Sequence, residues 1–138
     1  MITATIDVRK GKGMAASRTV KEKDEVYDET LKRFSGIPSD LVSLANEEVK
    51  AKSVQEDRRV KRGEVFGDII KGYMDAVEAG TEVPAILPKA KGDKSSEVGV
   101  WIRSEITERY AAFVAGLPHG NESEVLSAAL RWRFGKRP

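Results

Sequence analysis

Clusters of basic side chains are the first candidates for a functional site in this sequence. Three basic runs occupy residues 9–13, 58–62 and 131–137, while residues 22–29 are mainly acidic. Clusters of lysine and arginine attract polyanions, although they are also common on solvated surfaces. Because the charges nearly cancel to a formal net charge of +2, the sequence predicts separate basic surfaces rather than a uniformly basic protein.

Catalytic and metal-binding groups are scarce. The chain has no cysteine and one histidine, His119, which follows a proline in a predicted turn. Disulfides and thiolate metal sites are therefore excluded, and a Ser–His–Asp arrangement has no support. No glycine-rich phosphate loop is present, and the carboxylates lie between lysines on predicted helix surfaces. We predict that the protein is not an enzyme and has no cofactor and no metal.

Membrane and export signals are also missing from the sequence. No apolar run approaches the roughly 18 residues that a membrane span needs. The N-terminal residues MITATIDVRKGKG lack the basic-then-apolar order of a signal peptide. The absence of cysteine suits a reducing compartment. We predict a cytoplasmic protein without membrane contact.

The second half of the chain has the clearest periodicity. Residues 98–104, VGVWIRS, alternate as a strand does, and residues 105–117 carry an apolar stripe at helical spacing. Asn121 and Glu124 have the spacing of a capping box, which predicts a second helix that Gly135 ends. The order is strand, helix, helix.

The first half repeats part of this pattern. Residues 63–80 predict a strong helix that resembles the last one, with Glu64 and Val65 matching Glu124 and Val125. This similarity indicates a diverged internal repeat.

The strand of the first half is less well defined. Residues 38–54 predict a helix, and residues 30–37 are the preferred strand before it. Two alternatives remain for the strand, residues 41–46 and residues 2–9. Residues 22–34 also have the pattern of an additional amphipathic helix.

Alternation decides which way the side chains of residues 98–103 point. Val98, Val100 and Ile102 share one face, and Gly99, Trp101 and Arg103 share the other. Burying Arg103 without a partner would cost several kcal/mol, so the aliphatic face is predicted to lie in the core. An isolated strand is unstable in water, so a second strand must pair with it. A two-stranded antiparallel ribbon of this kind matches the width of the DNA major groove.

The residues VGVWIRSEITERYAAFVAGLPHGNESEVLSAALRWRF, at positions 98–134, resemble a ribbon-helix-helix unit. Residues 30–77 resemble the same unit more weakly. Two units on one chain are similar in layout to the tandem ribbon-helix-helix proteins of plasmid conjugation, the TraY and VirC accessory type. The resemblance implies a mainly α fold with a short two-stranded antiparallel β-ribbon, built from two ribbon-helix-helix units in one chain.

The implied domain organisation has four parts, with the two units sharing one core. They are an N-terminal extension at residues 1–29, flexible at residues 10–19; a first unit at residues 30–80; a linker at residues 81–96; and a second unit at residues 97–138.

The resemblance also implies which residues contact DNA. Those facing the bases are Gly99, Trp101 and Arg103 on one strand and Lys32 and Arg33 on the other, with Arg103 bonding to guanine. Phosphate contacts are implied at the start of each unit's last helix, at Asn121, Glu122, Ser123, Arg62, Gly63 and Glu64. The basic loop adds Arg58, Arg59 and Lys61. Trp101 departs from the small or polar residues usual in the family, and contact with a protein partner is its alternative role.

The function implied is sequence-preferring binding of double-stranded DNA, as an accessory factor of plasmid DNA transfer or as a transcriptional repressor. A relaxase or other DNA-transfer protein is then a candidate partner. The chain would be a monomer as an internal pseudo-dimer, or form a higher assembly on DNA. Two alternatives remain. One is a homodimeric repressor or antitoxin with an N-terminal protein-binding region. The other is a helical protein-interaction module without DNA binding.

Overall fold

The computed structural model describes residues 5–7, 17–22, 25–88 and 94–135. Four strands and four helices account for most of these residues. In chain order they are β1 (Thr5–Asp7), β2 (Ser17–Glu22), β3 (Glu25–Pro38), α1 (Ser39–Gln55), α2 (Arg62–Glu78), β4 (Ser95–Arg103), α3 (Ser104–Ala115) and α4 (Glu122–Phe134).

The strands form one antiparallel sheet in the order β1-β2-β3-β4. At 14 residues, β3 is longer than β4, which has nine. Its C-terminal part pairs with β4, and its N-terminal part pairs with β2 from Glu25 to Thr30. The strand β2 satisfies backbone hydrogen-bonding groups of β3 that β4 does not reach, and β1 pairs in turn with β2. The predicted fold class, a two-stranded ribbon made by two ribbon-helix-helix units, is therefore wrong.

The segment before residue 30 differs most from expectation. The predicted helix at residues 22–34 is wrong, because β3 covers Glu25–Pro38 and hydrogen bonds to strands on both sides outweigh a local helical pattern. Of the predicted flexible segment, residues 17–19 lie in β2, and residues 10–16 lie outside the described residues.

The preferred strand at residues 30–37 is confirmed, since it lies in β3 and pairs with β4. Of the alternatives, residues 41–46 belong to α1. Residues 5–7 of the other alternative form β1, which pairs with β2, and the rest of residues 2–9 lie outside the described part.

The four helices lie where the apolar periodicity predicts them, within about two residues at each end. They pack with β3 and β4 around one hydrophobic core that takes residues from both halves of the chain. Ring pairs connect the elements, with Phe34 of β3 edge-on to Tyr110 of α3 at 6.3 Å between centroids. The largest fully buried side chains include Ile37, Phe66, Ile69, Ile70, Tyr73, Met74, Ile102, Leu126 and Leu130.

The predicted orientation of β4 is confirmed. Val98, Val100 and Ile102 are 1%, 3% and 1% exposed and contribute to the core. The side chains between them point to the opposite face of the sheet. In the described ranges, no helix combines the length and the apolar character needed to cross a membrane.

Candidate nucleic-acid interface

The face of β3 and β4 opposite the core is called the outer face here. Directly paired residues of neighbouring strands project to the same side of a sheet. The register therefore places Glu29 beside Arg103, Leu31 beside Trp101, and Arg33 beside Gly99. On β2, Arg18 continues the row of Glu29 and Arg103.

Arg33 and Gly99 form the open part of the outer face. Both residues are exposed, and Arg33 makes no ion pair within the described part of the chain. A methyl group built on Gly99 would meet no atom within 4 Å. The Cα of Gly99 is therefore accessible next to a guanidinium group that no described carboxylate neutralises.

Trp101 is half-buried and carries a cation on its ring. The guanidinium carbon of Arg18 lies 4.2 Å from the ring centroid, a cation–π contact. Arg18 is held there by Glu29, with its Nε donating at 2.8 Å. The sequence prediction missed Arg18 because it assigned this segment to flexible chain. The only signal was the alternation that puts Arg18, Val20 and Glu22 on one face.

Arg103 points to the outer face as predicted, but its guanidinium group is occupied. Both terminal nitrogens donate to the carboxylate of Glu25, at 2.9 and 2.7 Å. The guanidinium carbon also lies 3.9 Å from the ring centroid of Tyr27. The hydrogen bonds from Arg103 lower the pKa of Glu25, which favours its charged form. The two terminal nitrogens of Arg103 are therefore engaged with Glu25 rather than available as a free fork for guanine while this pair is intact.

Lys32 does not belong to the outer face. It pairs with Val100, so it projects toward the helices, where its Nζ lies 2.7 Å from Glu122 of α4. This placement corrects the assignment of Lys32 to the bases, because a lysine of β3 next to Arg33 must point the other way.

Toward β2 the outer face is covered. Val20 is 1% exposed and Glu29 is 5% exposed. Lys61, in the loop between α1 and α2, contacts Glu22 of β2 at 3.3 Å. The sheet surface is therefore closed at Val20 and Glu29, whereas Arg33 and Gly99 on one side and the pair of Glu25 and Arg103 on the other remain exposed.

The N-termini of α2 and α4 lie at opposite edges of the β3–β4 pair. At the β4 edge, Arg62 donates to the carbonyl of Gly99 at 3.1 Å. A side chain at Gly63 would overlap the carbonyl oxygen of Trp101, so glycine allows α2 to approach β4. At the β3 edge, the amide of Ser35 donates to the Ser123 hydroxyl at 3.1 Å.

Side chains at the N-termini of these two helices already make hydrogen bonds within the protein. Asn121 accepts from the amide of Glu124 at 2.9 Å, and the Glu124 side chain accepts from the amide of Asn121, which confirms the predicted capping box. Glu64 of α2 accepts two hydrogen bonds from Arg58. These bonds lower the pKa of Glu64. Carboxylates beside both N-termini reduce their attraction for an anion.

In the basic loop, the three predicted residues differ in availability. Arg58 binds Glu56 and Glu64, and Lys61 binds Glu22. Arg59 is exposed and has no ion pair among the described residues. Of this loop, Arg59 is therefore the residue best placed to meet a phosphate.

Several clefts lie where the helices meet the sheet, one of about 780 Å³ between Arg59 and the strand residues Val20 and Gly99. A cleft of about 570 Å³ separates the α2 N-terminus from the outer face, with Tyr27, Glu29, Trp101 and Arg103 among its walls. A smaller cleft of about 110 Å³ lies beside the α4 N-terminus. There the Nη1 of Arg131 is buried and has no hydrogen-bond partner among the residues that the structure describes.

The site has features of a binding surface. Residues 5–7, 17–22, 25–88 and 94–135 include no group of three acidic or histidine side chains that could hold a metal ion. The arrangement instead combines an exposed arginine, a bare stretch of strand and two flanking helix N-termini. No family model, no curated protein and no solved structure matches the chain.

Proposed function

We propose that this protein binds double-stranded DNA through the outer face around Arg33 and Gly99. The observation that carries the proposal is the exposed guanidinium group of Arg33, which has no ion pair with a described residue, beside the open Cα side of Gly99 and between two helix N-termini. An exposed arginine without an internal partner is available for an external anion or acceptor.

The width of the sheet at Arg33 supports insertion into the major groove. Because β2 pairs with β3 only as far as Thr30, the four-stranded sheet is two strands wide at Arg33 and Gly99. Two antiparallel strands fit the groove, and the arginine fork matches the O6 and N7 acceptors of guanine. Because Gly99 has no side chain, a base edge can approach β4 closely at the same level as Arg33.

The flanks of the surface supply contacts to the DNA backbone. The N-termini of α2 and α4 lie on either side of the strand pair, and the carboxylates in their first turns leave the flanking arginines as the main phosphate donors. Arg59 and Arg62 add exposed guanidinium groups on the α2 side. Phosphate contacts of this kind fix the position of the protein and make binding sensitive to salt.

The biological role is a narrower question than DNA binding. A role as an accessory factor of plasmid transfer, with a relaxase as partner, or as a repressor stays a prediction, as does the cytoplasmic location.

The experiment that tests the proposal measures binding of a labelled 30-base-pair duplex at several salt concentrations. We expect the logarithm of the association constant to fall linearly with the logarithm of salt concentration. Arg33→Gln should weaken binding about tenfold, because it removes a charged, bidentate donor.

Arg109→Gln is the matched control, because it removes the same charge far from the strand pair. Arg109 binds Asp75 and Glu78 near the C-terminal end of α2. That end lies about 20 Å along the helix from Arg62. The affinity of Arg109→Gln for the duplex should stay within about twofold of the native value. Equal losses in both variants, or no salt-dependent binding by the native chain, would reject the proposal.

A further inference from the structure

The strands β2 and β3 place carboxylates against basic residues that face the proposed DNA surface. Glu25 holds Arg103 through two hydrogen bonds, and Glu29 holds Arg18 at 2.7 Å. Glu22 contacts Lys61 at 3.3 Å. Three cations near the strand pair are thus neutralised by one acidic stretch of the chain, while Arg33 is left free.

The pair of Glu25 and Arg103 is the one that can exchange partners. Its two side chains are 56% and 37% exposed, whereas the Glu29 side chain is only 7% exposed. Exposed ion pairs are weak, because water screens them and ordering two long side chains costs entropy. A phosphate close to Arg103 can therefore compete with Glu25 for the same donors.

We infer that Glu25 is an internal competitor of DNA for Arg103 and limits the affinity of the outer face. In the free protein Arg103 is bound to Glu25 and stacked on Tyr27. In the complex Arg103 turns to a DNA phosphate, and the carboxylate of Glu25 is left without its partner. The inference rests on the proposed function, because it concerns the regulation of the same surface.

The test is a double-mutant cycle on salt-dependent binding of the 30-base-pair duplex, using the full chain. Glu25→Gln should tighten binding about fivefold and make the slope of log K against log salt steeper by about 0.9, the value for one added phosphate contact. In a chain that already carries Arg103→Gln, Glu25→Gln should leave the slope of log K against log salt unchanged, because it adds no phosphate contact.

Glu97→Gln is the matched control for the loss of one negative charge. Glu97 is exposed on β4 and, by alternation, lies on the same face as Gly99 and Trp101. It has no ion pair with a described residue, so its substitution releases no arginine. It should leave the salt slope unchanged and tighten binding by less than Glu25→Gln does.

The remaining results distinguish failure of the competition between Glu25 and DNA from failure of DNA binding itself. If the native chain binds DNA but Glu25→Gln and Glu97→Gln have equal effects, the competition is wrong and DNA binding stands. If the gain from Glu25→Gln persists beside Arg103→Gln, it is a general charge effect and the competition is again wrong. If none of these chains shows salt-dependent binding, the proposed function fails and the inference fails with it. Unchanged circular dichroism spectra and melting temperatures will show that the variants are folded.

Discussion

At the scale of single residues, two glycines beside β4 have opposite requirements. Gly63 lies against the carbonyl oxygen of Trp101, so even one added methyl group would overlap backbone atoms. Gly99 faces open space on the outer face. Gly63 is therefore needed for the packing of α2 on the sheet. Gly99 is needed only if a ligand such as DNA must approach β4.

Gly63→Ala should therefore destabilise the fold by about 3 kcal/mol, because backbone must move to relieve the overlap. Gly99→Ala should change the free energy of unfolding by no more than about 0.5 kcal/mol. Urea unfolding of both variants compares the two positions directly. Similar stability of the two variants would show that α2 does not approach β4 as closely as described.

Two properties of β4 show which features can be predicted from the sequence and which cannot. The inward face of β4 follows from its alternation, because burying Arg103 is costly. That Arg103 is held by Glu25, 78 positions away in the chain, does not follow from any local pattern. The pairing depends on the register of β3 and β4, which only the folded sheet determines.

At the scale of elements, α4 is held at its start by side chains that the sequence identifies. Asn121 and Glu124 exchange hydrogen bonds as a capping box, and Ser123 bonds to β3. The Tyr110 hydroxyl donates to the carbonyl of Glu122. The cap thus positions the helix N-terminus that flanks the outer face.

Asn121→Ala should cost about 1 kcal/mol of stability, because the amide of Glu124 loses its acceptor. Asn121→Ser keeps an acceptor at the cap and should retain most of that stability. Thermal or urea unfolding of the two variants measures the difference. Equal destabilisation by alanine and serine would argue against a capping role for the side chain.

The elements differ in how well their sequences predict them. The helices carry wide apolar stripes and were predictable, since one face of each must be buried. The segment from Glu25 to Glu29 has charged residues typical of a helix surface, yet it forms a strand that pairs with β2. Its conformation is determined by backbone pairing with β2, and pairing partners are not visible in a local window.

At the scale of the whole molecule, the two halves of the chain repeat the order strand, helix, helix, but their surroundings differ. The strands β1 and β2 extend the sheet on one side, and Glu22 of β2 together with Glu25 and Glu29 of β3 places carboxylates near the outer face. This asymmetry leaves Arg33 free and Arg103 neutralised. We therefore expect one side of the strand pair to dominate contact with DNA.

The two tryptophans allow the central claim to be tested in one titration. Trp101 lies on the outer face, next to Gly99 and Arg33. Trp132 lies on α4 against Gly72 and Tyr73 of α2. Each has one indole N–H that nuclear magnetic resonance resolves separately, so the first reports on the proposed surface and the second serves as an internal control.

The measurement is a ¹⁵N–¹H correlation spectrum of the labelled chain recorded during addition of a DNA duplex. We expect the signals of the Trp101 indole and the Gly99 amide to shift or broaden, while the signal of the Trp132 indole does not change. Shifts at Trp132 with none at Trp101 and Gly99, or no shift at either tryptophan, would contradict binding of DNA through the outer face.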